Sequence, residues 1–209
     1  MEGSASAPSA SRIELEPPEW QPRALWTGSR LLCGAAAFFF VSFVFAYFYL
    51  RSLDTHNDWK IGHNINPSIG LGVAIVVVLV LSAAALRAAA TRPEVAVPAG
   101  AAALGLALLS VLLQVIEWTT LGFGSASGGY ASVFIGWTAF YAVFALACAY
   151  WIETQVATLW RRRRHGVPDT PAEVLTDSAL TRAGLEACSF FWTFYVANGV
   201  VLFVLLYVL

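Results

Sequence analysis

The sequence predicts an all-α integral membrane bundle of five transmembrane helices, N-terminus inside and C-terminus outside. Three observations carry that expectation. Of 209 residues, 58% are hydrophobic and only 12% charged, with a mean hydropathy of +0.68, a balance unlike that of a water-soluble domain with a charged surface. The apolar residues gather into five runs, at 31–53, 67–90, 97–121, 131–157 and 184–209, each long enough for the ~20 residues that cross a bilayer. The basic residues, finally, alternate in number from one connecting segment to the next.

Taken in order, residues 1–24 open with "MEGSASAPSASRIELEPPEWQP", rich in Ser, Ala and Pro and without an apolar core. They read as a flexible cytoplasmic tail and not as a cleaved signal peptide. Residues 25–209 form the membrane domain. Backbone exposed to lipid must satisfy its own hydrogen bonds, so the five runs are expected as helices; continuous apolar runs do not alternate as barrel strands do. Asn66 is an N-cap candidate with Pro67 at the start of the second run. Pro93 and Pro98 punctuate the turn before the third. "GFGSASGGY" is a short loop, and "RRRRHGVPDTPAEVLTDSALTR" reads as the one long polar loop. Gly34, Ala35, Ala36, Gly70, Gly72 and Gly105 are expected where helices approach closely.

Arg12, Arg23, Arg30, Arg87, Arg92, Arg161 to Arg164 and Arg182 fall on one side of this layout, and only Arg51 and Lys60 on the other. That is the positive-inside pattern. The Arg161 to Arg164 run then serves as a topology determinant and a contact for anionic lipid, a sufficient role that leaves no nucleic-acid partner to invoke.

An ionisable group inside a span is costly and marks either a helix contact or a functional path. Glu153 and Glu186 lie near the inner ends of their spans and read as interfacial carboxylates. Glu117 lies toward the outer end of the third span, three residues after Gln114 and on the same helical face. No basic residue in any span offers a deep ion-pair partner, so its partner has to be a hydroxyl, an indole N–H, a water or a lipid headgroup. Cys33, Cys148 and Cys188 sit in apolar runs without metal-ligand spacing and read as small hydrophobes. His56, His63 and His165 are all in loops, so no imidazole projects from a span to hold haem iron or copper.

The stretch "LLQVIEW", a short loop and then "GGYASVF" resembles the core of cytochrome c oxidase subunit III, a family of haem-copper oxidase subunits. Leu112, Leu113, Gln114, Glu117, Trp118, Gly129, Tyr130, Ser132 and Phe134 carry the likeness. "LEACSFFWTFYVANGVVLFVLLYVL" is similar to the family's closing helix through Glu186, Ala187 and Trp192, and "FFFVSFVFAYFYLRS" to its first. The chain departs from the family where it has Ala36 for a buried Glu, Tyr141 and Phe144 for two histidines, Thr193 for a His and Val196 for an acidic residue.

The resemblance implies a short, divergent five-helix bacterial member: a non-catalytic subunit of a respiratory oxidase in the plasma membrane. Such a subunit packs on catalytic subunit I, with subunit II nearby, and supports oxygen reduction and proton uptake. Haem and copper belong to those partners, this chain carries no redox centre, and phospholipid is its own expected ligand. Gln114, Glu117, Trp118, Tyr130, Ser132, Glu186 and Trp192 are the implied buried polar or lipid-contact positions. Two alternatives stay open: a subunit III-like protein that accompanies nitric oxide reductase, and an independent small transporter, which would want a polar path through the bilayer.

Overall fold

In the computed structural model, residues 20–55, 59–60, 66–165 and 171–209 are described, with the backbone alone for 165 and 171–177. Helix α1, Gln21–Ser52, carries a Pro in its first turn, where the missing N–H leaves no bond unmade. It starts ten residues before the apolar run because hydropathy registers lipid contact, whereas Arg23, Ala24 and Leu25 are simply good helix formers. Gln21 to Ala24 of the expected tail are therefore helical, and residues 1–19 lie outside the described residues.

Helix α2, Ile69–Thr91, is capped by Ser68, whose Oγ accepts the Leu71 N–H at 3.4 Å. The expected cap, Asn66, lies two residues too early, since Pro67 precedes the helix and does not begin it. A 3-10 turn, Pro93–Val95, leads into α3, Ala96–Thr120. Pro98 thus sits inside the first turn of α3, where it breaks no bond, and not in the connection. Helix α4 is Gly129–His165, and α5 is Pro171–Phe203 followed by a π-helical turn, Val204–Val208.

The expected long polar loop is mostly helix. Arg161 to His165 finish α4, where cations suit the negative end of the helix dipole, and Pro171 to Arg182 open α5. At ~1.5 Å per residue the 37 residues of α4 run roughly 55 Å, well beyond a ~30 Å hydrocarbon core. Five helices are long and apolar enough to cross a membrane, and the described residues contain no strand.

The helices pack as a ring, α1 to α5 to α2 to α3 to α4 and back to α1, with α4 and α5 also touching across the middle. The α2–α3 hairpin is the tightest pair. Its buried positions are Gly72, Ile75, Leu79, Ser82, Leu86 and Ala89 on α2, and Ala96, Gly100, Ala103, Ala107, Ser110, Gln114 and Glu117 on α3. Both series step by three and four, as the seam of a coiled coil does, and most members are small enough to bring the backbones close.

Interhelical hydrogen bonds supplement that packing, at about 0.6 kcal/mol each in a membrane. Ser29 Oγ donates to the Ala187 carbonyl at 2.9 Å, tying α1 to α5. Ser82 Oγ donates to the Ala103 carbonyl at 2.7 Å and accepts the Trp192 indole N–H at 3.1 Å, so one serine joins α2, α3 and α5. Arg163 reaches the Pro93 and Glu94 carbonyls at 3.2 and 3.1 Å, which fastens the end of α4 to the α2–α3 turn. Arg23, Arg30, Arg87, Arg92, Arg161 to Arg164 and Arg182 lie toward this basic end of the bundle; Arg51 and Lys60 lie toward the other.

Candidate functional site: a buried carboxylate between three helices

Near the end that carries Arg51 and Lys60, the Glu117 side chain is fully buried, at 0% exposure. Its Oε2 accepts the Gln114 Nε2 at 2.8 Å from one turn back on α3 and the Tyr207 hydroxyl at 2.6 Å from the π-helical turn after α5. The other oxygen, Oε1, is buried with no partner in the structure. Both donors are neutral, so the carboxyl is held by hydrogen bonds alone.

The third wall is α2. A Cβ on Gly72 would stand 2.6 Å from Tyr207 Cε1 and 2.8 Å from Cδ1, so the tyrosine ring occupies space that only glycine leaves. Phe203 stacks on that ring at 5.2 Å between centroids, and Phe134 meets it edge-on at 5.5 Å. Beside Gln114, Tyr207 and Gly72 is a void with about 10 Å³ of room, at the lower limit for a single water. The geometry fixes one carboxyl group in the interior and leaves no space there for a substrate.

The sequence motif therefore divides. Gln114, Glu117, Tyr130 and Phe134 gather around Tyr207: the Tyr130 hydroxyl donates to the Leu206 carbonyl, and its ring lies 6.0 Å from that of Phe134. Trp118 is half-buried and donates from Nε1 to Thr138 Oγ1 at 3.0 Å, pinning α3 to α4. Ser132 is exposed; its Oγ donates to the Ser125 carbonyl at 2.6 Å and to the Gly128 carbonyl at 3.0 Å, securing the loop before α4, where Gly128 adopts φ 133°.

The two residues from the closing helix are elsewhere. Trp192 binds Ser82 in the middle of the bundle, and Glu186 pairs with exposed Arg182 at 2.9 Å near the basic end. Glu153 is exposed on α4. Of the glycines expected at close contacts, Gly72 makes one, while Gly34 and Gly105 have no atom within 4 Å of an added Cβ and Gly70 meets only Ser68. His56 and His63 lie outside the described residues.

Residues missed by sequence reasoning make the tightest contacts. Tyr141 and Tyr195 stack at 4.2 Å and each donates its hydroxyl to the other's main-chain carbonyl, locking α4 to α5. Gly199 leaves the room that the Tyr141 hydroxyl fills. Tyr207 was legible only as a lone phenol in the aliphatic run "VLFVLLYVL".

The basic end is open by contrast. A cleft of about 730 Å³ separates α1, α4 and α5, lined by Leu25, Gly28, Ser29, Leu32, Trp151, Gln155, Thr158, Arg162, Leu180 and Gly184 among others. No protein-family model matches the chain, and no curated protein matches it either.

Proposed function

We propose that the chain is a non-catalytic, subunit III-like membrane subunit of a respiratory cytochrome c oxidase, with its basic end facing the cytoplasm of a bacterial cell. The observation that carries the reading is the clustering of Gln114, Glu117, Tyr130 and Phe134. These residues bear the resemblance, come from two helices, and meet in one buried neighbourhood around Tyr207. Glu117 on this reading is part of the architecture of the bundle, and oxygen reduction belongs to partner subunits that carry haem and copper.

Two further features support a role in a larger assembly. Helix α1 touches only α4 and α5 to any extent and presents Leu31, Phe38, Val41 and Phe45 outward, at 63% exposure or more. Gly34 and Gly105 are unobstructed, which suits close approach by a helix of catalytic subunit I. The orientation follows from the positive-inside rule applied to the arginines.

Purification of the chain from its native membrane in mild detergent tests the proposal. Haem absorbance and a large multi-span subunit are expected to travel with it; a colourless particle containing only this chain overturns the reading. Assaying the same preparation with oxygen and with nitric oxide separates the oxidase from a nitric oxide reductase partner.

A further inference from the structure

Glu153 and Glu186 stand at one level of the bundle and differ in what holds them. Ser29 of α1 bonds the Ala187 carbonyl of α5, and an added Cβ on Gly184 would meet Gln155 Oε1 of α4 at 2.8 Å, which sets both carboxylates beside Arg30 at the edge of the apolar core. Glu186 is paired with Arg182 at 2.9 Å. Glu153 is exposed and has no hydrogen bond or ion pair among the described residues. The next arginine along its own helix, Arg161, is two turns on, roughly 12 Å at the α-helical rise.

The surface around Glu153 shows what it lacks. One turn deeper, Tyr150 is 68% exposed, and its hydroxyl likewise has no partner among the described residues. Leu146, Val143 and Phe140 continue the same outer face toward the Arg51 end in steps of three and four, and Gly136 beyond them is open. An apolar strip thus ends in a phenol and a carboxylate. Lipid tails suit the strip but not its end: a glutamate stem is too short to lift its charge into water as lysine and arginine do, and anionic headgroups repel it. A carboxylate kept on the outside of a membrane helix is costly until something brings it a cation. A guanidinium or ammonium group satisfies both residues at once, giving its N–H donors to the carboxylate and lying on the face of the phenol ring. Twofold pairing of two such faces would set Glu153 against Glu153, so the complementary surface belongs to another chain.

We propose that this face of α4 docks a transmembrane helix of another protein, which places an arginine or lysine against Glu153 and Tyr150 at the basic end of the bundle. The inference rests on the membrane-spanning fold and not on the oxidase reading.

The test produces the full chain in its native membrane with the photoreactive residue p-benzoylphenylalanine in place of Tyr150. Irradiation is expected to give a covalent adduct with one membrane polypeptide, whose captured peptide carries an arginine or lysine at the end of its transmembrane run. The same photoreactive residue in place of Val77, exposed on α2, should give no protein adduct. E153Q should lower the yield about tenfold or more, E153D should keep most of it, and E153K combined with a glutamate in place of the captured cation should restore it. Adducts with lipid alone, with a second copy of this chain, or with a peptide lacking that cation would each overturn the proposal, as would equal yields with and without E153Q. A captured partner that has the cation but no haem would leave the inference standing and remove the oxidase reading. Haem that travels with the chain while α4 captures no protein would do the reverse.

Discussion

The two ends of the bundle are built on different terms. Toward Arg51 and Lys60, α2, α3, α4 and α5 close on one another around Tyr207, with aromatic rings and one carboxyl filling the space. Toward the arginines, the same helices run past the apolar core, and α1, α4 and α5 separate around a cleft of about 730 Å³. Closure follows where a glycine lets a large ring dock, as Gly72 does for Tyr207. Where the glycine meets open space, as Gly28 does, the helices stand apart. The residue type is the same at both ends, and its consequence depends on what faces it.

Substitutions at those glycines probe the contrast, and the largest effect belongs to Gly72→Val. Its side chain collides with Tyr207 and detaches the hydroxyl from Glu117, so a loss of about 3 kcal/mol or more is expected from overpacking and a stranded carboxylate together. Unfolding in detergent micelles measures it; a neutral result would mean that the closed end tolerates loosening. Glu117→Leu should cost about 1–3 kcal/mol by leaving Gln114 and Tyr207 buried without their acceptor, whereas Glu117→Gln should cost less than half as much. If both variants are as stable as the native chain, the carboxyl is not needed for packing.

At the open end the sign should reverse. Gly28→Ala meets no atom within 4 Å, so it should stabilise the chain by about 0.5–1 kcal/mol through helix propensity alone. A destabilisation there would show that the cleft closes in the folded protein under the conditions of measurement.

The smallest effect concerns Lys60, which lies over the Tyr130 ring at 4.8 Å. Burial, with the Arg51 guanidinium second, holds its ammonium below the ordinary lysine value of 10.5. Between its folded value and 10.5 the unfolded chain binds more protons, so stability contributed by this group rises with pH across that window. Compared with Lys60→Gln, the native chain should gain relative stability as pH is raised toward the lysine value. A flat difference would remove burial as the cause.

How much of this the sequence disclosed depends on whether the signal was local. Helix α3 was expected at 97–121 and spans Ala96–Thr120, because apolar run and helix end together at a proline-bearing turn and a glycine-rich loop. Helices α1, α4 and α5 were underestimated because hydropathy detects contact with lipid and polar turns continue a helix without it. The pairing of Gln114 with Glu117 was legible from their spacing. Tyr207 was not: it lies 90 residues from Glu117, and α5 buries residues around most of its circumference, so no period in its sequence reveals which side meets α3.

That separation in sequence gives the hydrogen bond between Gln114 and Glu117 a meaning during synthesis. Gln114 is at hand from the moment α3 forms, one turn away on the same helix, whereas Tyr207 is made only after two further membrane-crossing helices. The carboxyl group must enter the bilayer with a single companion and wait for its second. The amide serves as an escort, and the phenol arrives as a latch.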